Sequence, residues 1–287
     1  MRKRTLLLAL MASACSPVGQ STSNISNAAA PAEAKSGYAL RSNVAGASLV
    51  QVAELATVTP LEVDRYCANR FVKPTSDAGG IAAGKGWRIL RELPFHGLHA
   101  VLIVRGLDPM TSGRCNSIDA NIAFFEGTRL VGVLYPKGKR GIAISMMTLD
   151  NGHVRVWSPD PMVQGQVSLN GHDLTFDKIS GGDPVCNGKY QVPAVFTEPY
   201  PKARAKLLAA GWMPRPSSEG TPDRLDLADY RKRYPELDYC AGTGYGECSF
   251  TLAAKDGVTT LTIGTIGDIP DAVVSDYSVA CDGKPAD

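Results

Sequence analysis

A long series of short β-strand patterns separated by turn residues occupies the middle of the chain and limits the folds open to it. Residues 99–104 are apolar and β-branched, and residues 122–125 and 130–135 flank a Glu-Gly-Thr turn. Further strand patterns follow, with Gly-, Asn- and Pro-rich turns between them, at 142–147, 154–157, 167–169 and 174–179. Short strands at this spacing predict an antiparallel sheet or sandwich.

Helix signals occur on both sides of the strand series. Residues 59–62 (Thr-Pro-Leu-Glu) combine an N-cap threonine, a proline at the first helical position and a glutamate placed for a capping box, which predicts a helix to about Phe71. Residues 76–86 are a weaker helix candidate because they contain four glycines. The predicted class is therefore α+β, with an antiparallel β-rich region and helices.

The last hundred residues combine helix and strand signals again. A helix is predicted at 201–210, with proline at its start and Gly211 after its end. A second helix begins near Thr221 and ends before Pro235, and strands follow. We expect a β-rich α+β domain at 50–188 and a smaller α+β domain at 189–287.

The spacing of tryptophan and cysteine suggests an internal repeat. Trp87 precedes Cys115 by 28 positions, and Trp212 precedes Cys240 by the same interval. A phenylalanine lies ten residues after each of these cysteines. The spacing indicates either two related helix-plus-hairpin units or a chance coincidence.

The N-terminus carries an export signal. Three basic residues at positions 2–4 are followed by an apolar run at 6–11 and by Ala-Ser-Ala before Cys15. A charged region, a short apolar region and small residues at a cut site predict a signal peptide over residues 1–14. The apolar run is too short to cross a bilayer, which needs about 20 residues.

The segment 12–15 (Ala-Ser-Ala-Cys) resembles the lipobox of bacterial lipoproteins. The resemblance implies that Cys15 receives a diacylglycerol group, becomes the mature N-terminus and anchors the protein to a membrane. The family retains members with aspartate after the cysteine in the inner membrane. Ser16 at that position implies the periplasmic face of the outer membrane.

Residues 15–49 are predicted to form a flexible linker behind the lipid. The segment is rich in Ser, Ala, Asn, Gly and Pro and has almost no large apolar residue. Such a composition buries too little surface to offset its ordering entropy.

Cysteine usage also supports export. Of seven cysteines, Cys15 is assigned to the lipid, and the remaining six form an even set. In an oxidising compartment this predicts disulfide bonds, with buried free thiols as the alternative. Cys240 and Cys248 flank a glycine-rich turn and are expected to pair across a hairpin. The other expected pairs are Cys115 with Cys186 and Cys67 with Cys281.

Several functional classes lack support in the sequence. The net charge is +2 with scattered basic residues, whereas a nucleic-acid surface needs a broad basic field. No nucleophile elbow or phosphate-binding loop motif occurs. His96 and His99 are three apart in a strand context and would face opposite sides. The sequence therefore predicts no catalytic residues, no cofactor and no metal.

A short C-terminal stretch bears a family resemblance. Val192 and Pro193 lead to Ala203 and Leu207, four residues apart as on one face of a helix, and then to a Gly-Trp pair at 211–212. This stretch resembles the opening of a PASTA domain, a small module linked to cell-wall recognition. The resemblance implies a muropeptide-like ligand. A short strand leading into an amphipathic helix is the alternative.

These observations favour a non-catalytic envelope module that binds a cell-wall glycopeptide (peptidoglycan) or an envelope protein. Alternatives are a secreted inhibitor or adaptor of tandem α+β units, by analogy with β-lactamase-inhibitory proteins, and a hydrolase with an unrecognised site. The expected partner surface comprises the loop 213–222 and the turn 242–246, because binding residues concentrate on loops held by a rigid scaffold. Its candidate binding residues are Tyr239, Tyr245 and Arg215, with Arg224 and Arg231 as further charges.

Overall fold

A computed structural model describes residues 37–110, 114–138, 140–217, 227–241, 244–269 and 271–285. The predicted signal peptide, Cys15 and most of the predicted linker lie outside these residues. All described residues belong to one compact unit.

Strands outnumber helices throughout the described ranges. The helices are α1 (Arg65–Ala68), α2 (Asp77–Gly84), α3 (Tyr200–Ala209) and α4 (Leu227–Arg233). The strands are β1 (Ala39–Ser42), β2 (Ala47–Val50), β3 (Arg88–Phe95), β4 (Leu98–Val104), β5 (Gly106–Pro109), β6 (Cys115–Ile118), β7 (Asn121–Glu126), β8 (Arg129–Pro136), β9 (Met146–Asp150), β10 (His153–Trp157), β11 (Val163–Asn170), β12 (Asp173–Asp177), β13 (Asp183–Val185), β14 (Tyr190–Val192), β15 (Met213–Pro214), β16 (Leu237–Cys240), β17 (Cys248–Ala253), β18 (Thr260–Ile266), β19 (Val273–Cys281) and β20 (Lys284–Pro285).

Three larger sheets organise these strands. Sheet 1 has the order β2-β8-β7-β4-β3, and sheet 2 has the order β1-β12-β11-β10-β9. Sheet 3 has the order β15-β17-β18-β19-β20, and β16 pairs with β17. All pairings are antiparallel except β1 with β12, which is parallel. The predicted antiparallel, β-rich fold with helices is confirmed, and it fits an α+β or a mostly-β class.

Sheets 1 and 2 pack face to face as a sandwich around one apolar core. Phe95 and Phe124 of sheet 1 meet Met147 and Phe176 of sheet 2 in this core, and each is at most 1% exposed. A second cluster fills the opposite face of sheet 1, where Ala82 of α2 packs with other small and apolar residues. Sheet 1 is therefore buried on both faces, between α2 and sheet 2.

Helix α2 is held to sheet 1 by a polar contact at its N-terminus. The N-cap Ser76 accepts a hydrogen bond from the Gly79 N–H, and its own hydroxyl donates to Glu92 of β3. The Glu92 carboxylate also accepts the backbone N–H groups of Thr75 at 2.7 Å and Ser76 at 3.1 Å. A side chain at Gly79 would collide with this carboxylate. The glycine that weakens the helix signal thus permits the close approach of β3.

Sheet 3 and α3 enclose the third core. Tyr200 of α3 stacks on Phe250 of β17 with 3.6 Å between ring centroids, and Leu207 is fully buried. The prediction of a helix beginning at Pro201 and ending before Gly211 is confirmed to within one residue. Gly211 has a φ of +91°, a left-handed conformation that favours glycine after a helix.

The helix predicted from Thr59 is wrong. The helix begins at Arg65 after the N-cap Asp64, and the preceding residues pair their backbones with other parts of the chain. The Val58 N–H donates to the Lys85 carbonyl and the Leu61 N–H donates to the Arg105 carbonyl. Long-range backbone hydrogen bonds thus displace a local helix start.

Two other boundaries also differ from the predictions. The linker predicted to reach residue 49 ends earlier, because β1 and β2 already belong to sheets 2 and 1. Leu40 and Leu49, isolated in a polar composition, still pack against the sandwich core. The strand predicted at 142–147 begins only at Met146.

The disulfide bonds confirm one predicted pair and correct two others. Cys240 and Cys248 are bonded across the β16–β17 hairpin, as predicted. The predicted pairs of Cys115 with Cys186 and Cys67 with Cys281 are wrong. Cys67 bonds Cys115, with Cα atoms 5.8 Å apart, and Cys186 bonds Cys281 at 5.5 Å. The Cys67–Cys115 bond lies beside the sandwich, and the Cys186–Cys281 bond lies beside sheet 3. Each bond therefore stays within one part of the fold, whereas each predicted pair would have linked the two parts.

Candidate functional site

A short loop between β10 and β11 lies where the sandwich meets sheet 3. Residues 158–162 (Ser-Pro-Asp-Pro-Met) close on themselves, with the Ser158 N–H donating to the Met162 carbonyl at 2.9 Å. Pro161 in this loop borders three separate pockets. The loop is therefore the common wall of the candidate site.

The first of these pockets, here called the arginine pocket, has a volume of about 370 Å³. It is lined by Arg70, Leu90, Arg91, Leu102, Leu107, Arg114, Cys115, Ser117, Ser145, Met146, Ser158, Pro159 and Pro161. These residues include three arginines, several apolar side chains and no carboxylate. The pocket thus combines positive charge with an apolar wall.

Two local features bring the three arginines together. The Cys67–Cys115 disulfide places Arg70, three residues after Cys67, near Arg114. A bulge in β3 between Ile89 and Arg91 brings Arg91 opposite Leu102, on the sandwich side of sheet 1. Bulges commonly redirect side chains in this way.

Unused hydrogen-bonding groups line the arginine pocket. No ion pair or side-chain hydrogen bond joins Arg70 or Arg91 to the part of the chain that the structure describes. The Ser117 hydroxyl is buried and has no hydrogen-bond partner within the same residues. Buried polar atoms in native proteins are almost always paired, so this hydroxyl is an exception.

Arg114 forms the wall between the arginine pocket and sheet 3. Its guanidinium donates to the Glu247 carboxylate at 2.5 Å and to the Pro159 carbonyl at 3.2 Å. It also lies over the Tyr245 ring, with 4.9 Å from its central carbon to the ring centroid. The Tyr245 hydroxyl donates to Asp160 at 2.9 Å. These contacts fix Arg114, so Arg70 and Arg91 are the two arginines available to a ligand.

The second pocket, here called the hydroxyl pocket, lies on the face of sheet 3 that points away from α3. It measures about 360 Å³ and is lined by Arg114, Pro161, Tyr239, Glu247, Cys248, Ser249, Thr262, Gly264, Thr265, Ser275, Asp276 and Ser278. Burial raises the pKa of the Asp276 carboxyl above its ordinary value, and the nearby Glu247 charge adds to this effect. The Ser275 hydroxyl opposes the shift by donating to Asp276 at 3.2 Å.

The third pocket, of about 300 Å³, borders a buried ion pair that joins sheet 2 to sheet 3. Arg155 of β10 donates to Asp183 of β13, and the Tyr277 hydroxyl of β19 donates to the same carboxylate. The Phe196 ring packs against both Arg155, at 5.1 Å, and Tyr277, at 5.3 Å between centroids. The side chains of this cluster contact one another, so we assign the cluster a structural role.

The structure brings together only part of the predicted binding surface. Tyr239 is 54% exposed and lines the hydroxyl pocket, and Tyr245 lies next to it against Arg114. Arg215 directly follows β15, is exposed and lines neither pocket. Its backbone N–H donates to the Thr251 carbonyl of β17. Arg231 donates to the Asp238 carbonyl. Arg224 and residues 218–222 and 242–243 of the predicted surface lie outside the described residues.

Sequence reasoning missed Arg70, Arg91 and Arg114. The cysteines gave the only sequence signal for these arginines, because Arg70 lies three residues after Cys67 and Arg114 directly precedes Cys115. Correct pairing of those cysteines would have placed the two arginines together.

The described ranges contain no group of three or more His, Cys, Asp and Glu residues arranged to hold a metal ion. They also contain no helix that combines the length and apolarity needed to span a membrane. The His96 ring donates a hydrogen bond from Nε2 to the Gly152 carbonyl at 2.7 Å.

Comparison with known proteins gives no relative for this chain: no family model, no curated protein and no solved structure matches it.

Proposed function

We propose that the protein is a non-catalytic binding module of the bacterial envelope whose ligand is a cell-wall glycopeptide. The single observation that carries this proposal is the arginine pocket, where Arg70, Arg91 and the Ser117 hydroxyl have no side-chain partner among the residues that the structure describes.

The chemistry of the pocket suits a peptide that bears carboxylates. A guanidinium offers a planar fork of donors that matches a carboxylate, and two of them at one pocket suit a peptide with more than one carboxyl group. Leu90, Leu107 and Met146 supply apolar contact for the methyl and methylene groups of such a peptide. Cell-wall peptides combine these two features.

The proposed location supports the same ligand. The lipobox-like segment ending at Cys15 would anchor the chain on the periplasmic face of the outer membrane, and the residues behind it would tether the fold. The PASTA-like stretch at 192–212 points to the same ligand class. The disulfide bonds of the fold are in keeping with an oxidising compartment.

The test uses calorimetry to measure binding of the purified chain to the stem tetrapeptide of peptidoglycan, free of its glycan. The wild type should bind, and the Arg70→Ala/Arg91→Ala double variant should bind at least tenfold more weakly. Each charged hydrogen bond contributes about 1.5–3 kcal/mol, and about 1.4 kcal/mol is a factor of ten. Arg41→Ala removes an exposed arginine outside the pocket and is the matched control. Equal affinity of the double variant, or no binding by the folded wild type, would remove the arginine pocket as the ligand site.

A second candidate is an inhibitor or adaptor built from two related α+β units, and one observation favours it. After α2 and after α3 the chain forms a glycine, a tryptophan and then an antiparallel meander, β3-β4-β7-β8 and β15-β17-β18-β19. In both units the backbone N–H of the tryptophan donates to a carbonyl of the preceding helix, Trp87 to Ala82 at 3.2 Å and Trp212 to Leu207 at 3.1 Å.

The correspondence between the two units does not extend to the later residues that suggested a repeat. Phe125 lies on the third strand of the first meander and Phe250 on the second strand of the other. Retention on purified sacculi separates the two functions. A cell-wall module binds the sacculi, whereas an inhibitor or adaptor stays in solution.

A further inference from the structure

The hydroxyl pocket has a row of side chains that the proposed peptide site does not use. Four residues on adjacent strands face one another in register across sheet 3: Tyr239 with Ser249, Ser249 with Gly264, and Gly264 with Asp276. The glycine makes the row concave, because a side chain at Gly264 would collide with the Asp276 carboxyl. The row therefore has an aromatic ring at one end and a carboxyl at the other, with a hollow between them.

The lining of the pocket matches a sugar better than a peptide. Ser249, Thr262 and Ser278 offer hydroxyl groups that both donate and accept, as the hydroxyl groups of a sugar do. Tyr239 is 54% exposed at the rim and offers a flat face for the C–H side of a pyranose ring. Arg114, the one cation of the pocket, is already paired with Glu247. The pocket thus has no free cation for a carboxylate.

We propose that the hydroxyl pocket is a subsite for a neutral sugar, one that stacks on Tyr239 and hydrogen-bonds with Ser249 and Asp276. The inference rests on the proposed function in one respect, namely that the sugar would be the glycan part of the glycopeptide. Adjacent strands are about 4.8 Å apart, so the three intervals from Tyr239 to Asp276 span on the order of 14 Å. This length accommodates one or two pyranose rings. Arg114 would then separate the sugar from the peptide.

The experiment titrates the folded chain with chitotetraose, an uncharged N-acetylglucosamine oligomer that has no peptide. Saturation-transfer NMR and calorimetry follow binding in the wild type and in Tyr239→Ala and Ser249→Ala. Tyr239→Ala removes an exposed ring, and Ser249→Ala removes only a hydroxyl from the row. Both variants should weaken binding at least fivefold. Tyr66→Ala is the matched control, because Tyr66 is 52% exposed and lines neither pocket.

The outcomes separate this subsite from the peptide site. Loss of chitotetraose binding in Tyr239→Ala and Ser249→Ala, with normal binding in Tyr66→Ala, supports the sugar subsite. Chitotetraose binding that is absent in the wild type, or unchanged in both variants, overturns it. Binding of the stem tetrapeptide alone would leave the proposed function intact without the sugar subsite. Binding of chitotetraose alone would support the subsite while the peptide proposal fails.

Discussion

The guanidinium of Arg114 lies 4.9 Å from the centroid of the Tyr245 ring and joins the sandwich to sheet 3. The two residues belong to segments that are each fixed by a disulfide bond, Cys67–Cys115 on one side and Cys240–Cys248 on the other. Arg114 lines both the arginine pocket and the hydroxyl pocket. The Tyr245 ring therefore contacts the one arginine that the two pockets share.

A double-mutant cycle should detect coupling between these residues. Arg114→Ala and Tyr245→Ala are expected to show an interaction free energy of about 0.5–1 kcal/mol, the range for a cation–π contact at a partly exposed site. Urea denaturation of the wild type, the single variants and the double variant measures it. Arg41→Ala with Tyr245→Ala is the control and should be additive. Additivity in the Arg114 cycle would contradict the contact.

The candidate site was only partly predictable from the sequence. Tyr239 and Tyr245 lie beside a predicted hairpin, so local signals located them. Arg70, Arg91 and Arg114 belong to a helix end, a bulged strand and a loop, and no local pattern relates them. They meet only because sheet 1 forms and a disulfide bond joins α1 to β6, which no short window of sequence encodes.

Removal of the disulfide bonds should destabilise the fold in the order of the loops that they close. The sequence separations are 8 for Cys240–Cys248, 48 for Cys67–Cys115 and 95 for Cys186–Cys281. Chain entropy gives about 2.5, 4 and 4.7 kcal/mol for these loops. Thermal unfolding of the three paired Cys→Ala variants measures the order. A larger loss for the hairpin pair than for Cys67–Cys115 would refute the chain-entropy explanation.

The fold was predicted best where local and long-range interactions agree. The hairpin of β7 and β8 has two continuous apolar runs and a turn glycine at 127 with positive φ, and it forms as expected. At Thr59 the local helix signal is equally clear but loses to the backbone hydrogen bonds of Val58 and Leu61 with distant carbonyl groups. Such competition between near and distant partners is visible only in three dimensions.

Breaking the buried Arg155–Asp183 pair should be strongly destabilising. Both side chains are at most 10% exposed, so Asp183→Ala would leave the Arg155 charge buried without its main partner. We expect a loss of about 3–5 kcal/mol in the free energy of unfolding. Asp173→Ala, which breaks the exposed pair with Arg41, is the control and should cost less than about 1 kcal/mol. Equal effects in urea denaturation would show that the buried pair contributes no more than the exposed one.

Lipid attachment at Cys15 has a direct test. The Cys15→Ala variant should no longer incorporate a fatty-acid analogue in cells and should leave the membrane fraction, because each buried lipid CH₂ contributes about 0.8 kcal/mol to anchoring. A Cys240→Ala/Cys248→Ala variant controls for the loss of other cysteines and should still be labelled. Labelling of Cys15→Ala at the wild-type level would exclude the lipobox interpretation.

The Glu92 carboxylate should make stability depend on pH in the acid range. Burial opposes its ionisation, but the hydrogen bonds from Ser76 and Thr75 outweigh burial and hold its pKa below the ordinary value. A lowered pKa stabilises the fold above the unfolded-state pKa of about 4.3, and this contribution disappears as the pH falls through the folded-state pKa. Glu92→Gln should therefore lose about 1 kcal/mol at pH 7, after allowance for partial exposure. The difference from wild type should shrink below about pH 4, whereas Glu62→Gln, at an exposed position, should show no such trend. Urea denaturation between pH 3 and pH 7 measures both variants, and a difference for Glu92→Gln that is constant with pH would refute a role for the charge at the start of α2.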